Sequence, residues 1–128
     1  MYCGDLKVNS TTTISVGPAL DKDDADTEKT ATIADTEFFL SKNGGNLANP
    51  NDTNDATHDQ DGMFNKQLDG TDLNTEGLLT ITMHKADHLY TRQDYTVLSE
   101  AASRQLLFRL NVQLIPYYPL RYIKIDSV

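Results

Sequence analysis

Apolar and polar residues alternate along much of the chain, and this pattern predicts a series of short β-strands. The clearest case is residues 78–84, where Leu79, Ile81 and Met83 alternate with polar side chains. A period of two is typical of a strand with one buried face. The same pattern and β-branched composition predict further strands at residues 11–16, 30–42, 63–68 and 89–98. Their predicted inward residues are Ile14, Val16, Ile33, Phe38, Leu40, Phe64, Leu68, Tyr95 and Val97.

Turn-forming and polar residues separate these strands. Asn43-Gly44-Gly45 predicts a hairpin, because Asn and Gly tolerate positive φ. Residues 21–29 lack apolar periodicity and are predicted as an exposed loop. Residues 46–62, rich in Asn, Asp and Thr, are predicted as a long loop or a weak edge segment. Two interpretations remain open for residues 1–10, an ordered strand or an arm that exchanges with a neighbour.

The last quarter of the chain supports two interpretations. Ser99 is a suitable N-cap for a short helix through Glu100-Ala101-Ala102. Strict alternation after it favours a strand at residues 106–115, and a second strand is predicted at residues 120–126. These strands either close the chain's own sandwich or dock on another subunit. The candidate interface residues are Leu106, Phe108, Leu110, Val112, Leu114, Tyr117, Tyr118 and Tyr122.

Composition limits the function classes that remain. The chain has 128 residues, which fits one domain, and its apolar fraction of 38% is low for a globular protein. A net charge of −8 repels phosphate backbones, so we expect no binding to nucleic acid. The single cysteine, Cys3, excludes an intramolecular disulfide. No secretory signal or membrane-spanning apolar run is present in the sequence, so we expect a soluble protein made in the cytoplasm.

The sequence contains no motif that predicts catalysis. It has neither a Gly-x-Ser-x-Gly elbow nor a phosphate-binding loop, and nothing marks a buried carboxylate pair, so we expect no enzymatic activity. His84 and His88 would lie roughly 13 Å apart on a strand, too far to share a metal. His58 lies among acidic residues, and two acidic clusters offer oxygen ligands for calcium. A solvated surface is the preferred interpretation of each, so we expect no metal or cofactor. The two clusters are Asp21, Asp23, Asp24, Asp26 and Glu28, and Asp52, Asp55, Asp59 and Asp61.

Residues 30–98 resemble an immunoglobulin-like module found in structural proteins of tailed bacteriophages. The resemblance covers a little over half of the chain and rests on the order and spacing of several segments. They are Thr32-Ile33-Ala34-Asp35, Phe39-Leu40-Ser41-Lys42-Asn43-Gly44-Gly45, Ala56-Thr57-His58-Asp59, Asp61-Gly62, Leu68-Asp69-Gly70-Thr71-Asp72, Thr75-Glu76-Gly77-Leu78-Leu79, His84-Lys85 and Tyr95-Thr96-Val97-Leu98. In the turn before the sixth strand of such a domain, Asp72 is expected to bond the backbone and Gly77 to adopt positive φ. The corner tyrosine of that turn has no counterpart here.

The resemblance implies the fold class and a role. The fold is expected to be all-β, an immunoglobulin-like antiparallel β-sandwich over residues 1–100 with a C-terminal strand extension over residues 101–128. That extension is part of the same domain or an assembly arm. The implied role is a non-enzymatic virion protein, assembled in the host cytoplasm, that decorates the capsid or anchors fibres to the head, neck or baseplate. Its expected partners are other virion proteins and further copies of itself, not membranes. The alternative is a carbohydrate- or receptor-binding sandwich on a phage or cell surface, with tyrosines as stacking platforms and the aspartate-rich loops as ligands.

Overall fold

Two β-sheets stack as a sandwich. The computed structural model describes residues 1–105, and residues Met1–Leu98 form one compact unit. The four-stranded sheet has the order β1-β7-β6-β3, and the three-stranded sheet has the order β2-β5-β4. This is the predicted all-β sandwich. The strands are β1 (Tyr2–Lys7), β2 (Thr12–Val16), β3 (Phe38–Lys42), β4 (Thr57–His58), β5 (Phe64–Leu68), β6 (Gly77–Met83) and β7 (Thr91–Leu98).

Pairing among β1–β7, the strands of the described residues, is antiparallel with one exception. β3 pairs with β6, β6 with β7, and β5 with both β2 and β4, all antiparallel. β1 pairs with β7 in parallel, and a register shift interrupts the pairing between Tyr2 and Asp5. The N-terminal residues are therefore an ordered edge strand of the four-stranded sheet.

The core lies between the two sheets. Every inward residue predicted from the alternation is buried, as are Leu79, Ile81 and Met83. Alternation located these residues because each strand buries one face, so every second side chain points to the other sheet. The predicted hairpin turn forms at residues 43–45, since Asn43 and Gly44 adopt φ values of 51° and 76°. The returning segment forms no strand, and its pairing with β3 is the isolated bridge in which Leu40 and Ala48 exchange backbone hydrogen bonds.

The strand predicted over residues 30–42 is too long. Only Phe38–Lys42 forms a strand, and Asp35–Glu37 is a 3-10 turn. The Glu37 carboxylate accepts the Ala34 N–H at 2.9 Å, and the Asp55 carboxylate accepts the Asp35 N–H at 3.1 Å. The Glu37 and Asp55 carboxylates thus accept backbone N–H groups that would otherwise pair with a neighbouring strand. Ile33 keeps one isolated bridge, to Ala56.

A buried polar cluster fixes the segment that follows β3. The fully buried Lys66 Nζ donates to the carbonyl oxygens of Asp52 at 3.1 Å and Asn54 at 2.7 Å. The buried Asp72 carboxylate accepts the N–H groups of Asn51 at 2.7 Å and Asp52 at 3.2 Å. The polar loop predicted at residues 46–62 is therefore tied to the sandwich at its middle, and it contains the two-residue strand β4.

The turn before β6 has the features implied by the resemblance. The Asp72 carboxylate accepts the N–H of Asp69 at 3.1 Å as well as those of the neighbouring loop. Gly77 adopts φ 113°. Opposite it, the Asn43 side-chain amide donates to Glu76 O at 2.9 Å and accepts the Leu78 N–H at 2.8 Å. This amide therefore joins the β3 hairpin to the start of β6.

A helix follows β7. Residues 100–105 are helical, and the Ser99 Oγ accepts the Ala102 N–H at 3.0 Å, so Ser99 is an N-cap as its sequence context indicated. The strands predicted at residues 106–115 and 120–126 lie outside the described residues. The same is true of all eight candidate interface residues, which are Leu106, Phe108, Leu110, Val112, Leu114, Tyr117, Tyr118 and Tyr122.

Candidate interaction surface

The two outer faces of the sandwich differ in chemistry. The three-stranded sheet presents short or amide side chains, which are Thr13, Ser15, Thr57, Asn65 and Gln67. All five are polar, and no large apolar side chain lies among them. Such a face is fully compatible with water.

The outer face of the four-stranded sheet carries large apolar and aromatic side chains. Tyr2 on β1 is 59% exposed, Phe39 on β3 is 39% exposed, and Leu78 on β6 is 45% exposed. Tyr90, immediately before β7, is 80% exposed. We call this surface, with the polar residues between these four, the aromatic face.

Strand register explains how these side chains share one face. In successive rows, Leu78 lies opposite Thr96, Thr80 opposite Asp94, and Thr82 opposite both Phe39 and Arg92. Directly opposed residues project to the same side of a sheet.

The next row of this hairpin places His84 opposite Tyr90. Their rings stack with centroids 3.8 Å apart and an angle of 10° between the planes. The His84 N–H donates to Glu37 O at 3.1 Å, and the Leu89 N–H donates to Leu20 O at 3.0 Å. Backbone hydrogen bonds on both sides therefore hold the hairpin end that carries the stack.

A hydrogen-bonded polar centre separates the apolar side chains of the aromatic face. The Asp94 carboxylate accepts the Thr80 hydroxyl at 2.8 Å and the Arg92 Nε–H at 3.2 Å, and the N-terminal ammonium lies 3.9 Å away. The Thr80 hydrogen bond, with Arg92 and the N-terminus, holds the pKa of Asp94 below its ordinary value. Asp94 is therefore ionised at neutral pH and already paired within the face.

The histidines do not assemble a metal site. His84 stacks on Tyr90, whereas His58 Nε2 lies 3.2 Å from Glu28 Oε2. His88 is buried, with Nδ1 2.8 Å from Ala86 O, and Nε2 has no hydrogen-bond partner among the described residues. Within residues 1–105, no three His, Cys, Asp or Glu side chains are grouped closely enough to hold a metal ion.

Two carboxylates of the acidic loop at residues 21–29, those of Asp21 and Asp24, bind groups within the loop. Asp24 accepts the Thr27 hydroxyl at 2.5 Å and the N–H groups of Thr27 and Asp26 at 3.0 Å, which lowers the pKa of Asp24 to about 2. Asp21 accepts the Asp23 N–H at 2.8 Å and pairs with Lys29 Nζ at 2.6 Å. These carboxylates stabilise the loop's own turns.

Two grooves also lie on the surface of the described residues. One, of about 440 Å³, lies beside the hairpin at residues 43–45 and is lined mainly by asparagines, Lys42 and Asp72. The other, of about 350 Å³, lies between the edges of β1 and β2 and is lined by Met1, Cys3, Ile14, Ser15, Gly17, Met63, Gln93 and Tyr95. Among the described residues that line them, neither groove has a nucleophile paired with a general base. The aromatic face is the stronger candidate.

Sequence reasoning did not single out the aromatic face. Alternation with the inward Phe38 and Leu40 places Phe39 on the outer face, but the surface that it shares with Leu78 and Tyr90 depends on the register between strands. The sequence did contain a signal for this face. Large apolar residues, such as Phe39 and Leu78, stand at outward positions where an alternating strand usually has polar residues. The tyrosines that were singled out, Tyr117, Tyr118 and Tyr122, fall outside the described residues.

No protein-family model, curated protein or solved structure matches this chain. Among the described residues, no helix combines the length and apolar character needed to cross a membrane.

Proposed function

We propose that this chain is a non-enzymatic structural protein of a tailed-bacteriophage virion, which docks on other virion proteins through its aromatic face. The observation that carries the proposal is the contrast between a wholly polar outer face on one sheet and exposed Tyr2, Phe39, Leu78 and Tyr90 on the other. A shell or fibre component meets water on one side and a neighbour on the other. Tyrosine is enriched among residues that dominate binding energy at interfaces.

The strand order supports the immunoglobulin-like part of the proposal. The sheet β2-β5-β4 corresponds to strands B-E-D of that fold, and β3, β6 and β7 correspond to C, F and G. β1 extends the second sheet beyond its G strand. The Asp72 turn stands where such domains enter their sixth strand. The phage assignment itself rests on the sequence resemblance of residues 30–98.

The size of the aromatic face favours many weak contacts over one strong contact. A face of this kind measures about 20 Å along β6 and about 15 Å across four strands, from the standard spacings of a sheet. That is roughly 300 Å², whereas a stable interface buries about 800 Å² on each partner. Copies repeated on one particle raise the effective affinity without enlarging the contact. A protein present many times per virion fits this arrangement.

Mass spectrometry of gradient-purified phage particles from a culture that carries the gene tests the proposal. We expect the chain in the particles at many copies. Phage encoding Phe39→Asp with Leu78→Asp should lose the chain from the particles, because two carboxylates would be buried at the contact. The matched control, Thr13→Asp with Asn65→Asp on the polar face, should retain it. Absence of the wild-type chain from the particles, or equal retention of both variants, contradicts the proposal.

A second candidate function is binding of carbohydrate receptors, favoured by the stack of His84 and Tyr90. One face of the Tyr90 ring packs on His84 while the residue stays 80% exposed, so an oriented ring face is available to a sugar. A glycan array probed with the full chain, with and without calcium, tests this function. Binding that Tyr90→Ala abolishes and Tyr2→Ala preserves supports it, and absence of any bound glycan contradicts it.

A further inference from the structure

β1 is weakly embedded in the sandwich. None of its residues is buried, and within residues 1–105 its partly buried apolar contacts with the core are those of Leu6, together with Val8 just after the strand. Its attachment is mainly the parallel pairing to β7, extended by hydrogen bonds from Asp94 N to Met1 O at 2.7 Å and from Val8 N to Leu98 O at 2.9 Å. Elements with so few buried contacts open at low free energy.

The connection from β1 to β2 is short and contains one left-handed residue. Asn9 adopts φ 56°, a conformation that asparagine reaches at a smaller cost than other side chains but at a larger cost than glycine. Its N–H donates to Leu73 O at 2.9 Å, and the Ser10 hydroxyl closes the turn on Lys7 O at 2.6 Å. Residues 8–11 thus form a tight hinge that carries the chain from one sheet to the other. Short strained hinges favour exchange of the element they connect.

We propose that β1 exchanges between two copies of this chain, so that each β1 occupies the β7 edge of the other copy. The exchanged strand would form the same backbone pairing and the same Leu6 and Val8 contacts as before. The difference lies in the hinge, where an extended conformation releases the left-handed Asn9. Such an exchange gives a symmetric dimer without any new surface. The proposal does not depend on a virion role, since it rests on β1 and the hinge alone.

A disulfide reporter distinguishes an exchanged dimer from a docked one. Asp5 and Thr96 are directly paired across β1 and β7, and paired strand residues lie at a separation that a disulfide can span. The full chain with Cys3→Ser, Asp5→Cys and Thr96→Cys is refolded from urea at several protein concentrations, oxidised, and run on a denaturing gel without reductant. Exchange places the two cysteines of each disulfide on different chains, so we expect covalent dimers that increase with concentration.

Two hinge variants test the direction of the effect. Asn9→Pro cannot adopt positive φ and loses the N–H to Leu73, so it should raise the ratio of dimer to monomer about tenfold at equal concentration. Asn9→Gly adopts positive φ more readily than asparagine and keeps the N–H, so it should lower that ratio. Light scattering gives the ratio for the full chain.

Dimers that contain only intramolecular disulfides between residues 5 and 96 would overturn the proposal, because they are docked through another surface. Absence of intermolecular disulfides in both the native hinge and the Asn9→Pro hinge would also overturn it. If Asn9→Pro fails to fold, the comparison of the native hinge with Asn9→Gly decides, since the proposal requires fewer covalent dimers from the glycine hinge.

Discussion

The side-chain amide of Gln93 on β7 crosses the sandwich and takes the backbone N–H of Gly17 at the end of β2, with Oε1 and N 2.9 Å apart. Its Nε2 donates to Ser15 O at 3.0 Å, and the side chain is only 3% exposed. The amide thus offers one acceptor and one donor to backbone groups at the edge of β2. A residue in a paired strand would offer its own C=O and N–H in the same way. It therefore joins the two sheets where their edges face each other.

Replacing Gln93 with Met should destabilise the fold by about 2–4 kcal/mol, because two backbone groups lose their buried partners while side-chain volume changes little. Urea unfolding gives the free energy, and hydrogen exchange gives the location. Hydrogen exchange at the Gly17 amide should become faster by more than the loss of global stability accounts for. The Leu40 amide, which donates to Ala48 O at the far edge of the sandwich, should become faster only by that global loss. Unchanged protection at Gly17 would show that the amide is not its partner in solution.

Among the lysines of residues 1–105, Lys66 should be the most costly to remove. Its Nζ lies 3.6 Å from Asp52 Oδ1 and 5.8 Å from the centre of the Phe38 ring, in addition to its two carbonyl contacts. Lys66→Met leaves the buried Asp52 carboxylate without its cation and should cost about 3 kcal/mol in urea unfolding.

Two further chains control the Lys66 experiment. Adding Asp52→Asn should recover part of the loss, because the uncompensated charge is gone. Lys85→Met, which breaks the half-buried pair with Glu37 at 3.1 Å, should cost less than about 1 kcal/mol. Equal losses from Lys66→Met and Lys85→Met would contradict a special role for burial.

Gly77→Ala should destabilise the turn before β6 by about 2 kcal/mol or more. The residue has φ 113°, and an added Cβ would collide with the Asn43 side-chain amide that bonds Glu76 and Leu78. Gly44→Ala is the matched control, because it also has positive φ but no heavy atom near an added Cβ, so it should cost about 1 kcal/mol. Thermal or urea unfolding of both chains gives the difference, and equal effects would indicate that the collision is relieved without cost.

Tyr95 should make the fold sensitive to alkaline pH. Burial, with the Cys3 thiol nearby, raises the pKa of Tyr95 to about 12 from an ordinary value of 10.0. The folded state therefore favours the neutral phenol, and its stability is complete below pH 10 and declines as pH rises from about 10 to 12. The decline due to this residue should reach about 2 kcal/mol. Urea unfolding between pH 9 and pH 12 should show a steeper fall for the wild type than for Tyr95→Phe, and parallel curves would contradict a raised pKa.

Most of the sandwich core followed from local sequence. Alternation identified every inward residue that was named, because a half-buried strand imposes its period of two directly on the chain. The extent of β3 was overestimated, since the Glu37 and Asp55 carboxylates capture backbone donors and end the ladder at Phe38. Such captures depend on a residue distant in sequence, as with Asp55 and Asp35, and a local pattern does not contain them.

The polar interior and the aromatic face could not be predicted from local sequence, because both depend on residues that are distant in the chain. Lys66 stands at an inward position of β5, and its burial becomes favourable through the carbonyl groups of residues 52 and 54 and the Asp52 carboxylate, which lie far from it in the sequence. Gln93 reads as an ordinary polar residue until β2 is placed beside it. The parallel pairing of β1 and the shared face of Phe39, Leu78 and Tyr90 likewise arise from the arrangement of strands distant in the chain.

The contacts that hold the polar segment after β3 also affect the susceptibility of the protein to proteases. The bridge at Ala48, the Asp72 contacts at residues 51 and 52, the Lys66 contacts and the bridge at Ala56 divide one long surface loop into short spans. A protease needs an extended stretch of several free residues, and short spans closed by buried groups do not supply one. Cleavage within this segment should therefore require unfolding of the core. Although its composition is that of a linker, the segment should resist proteolysis as well as the folded domain does.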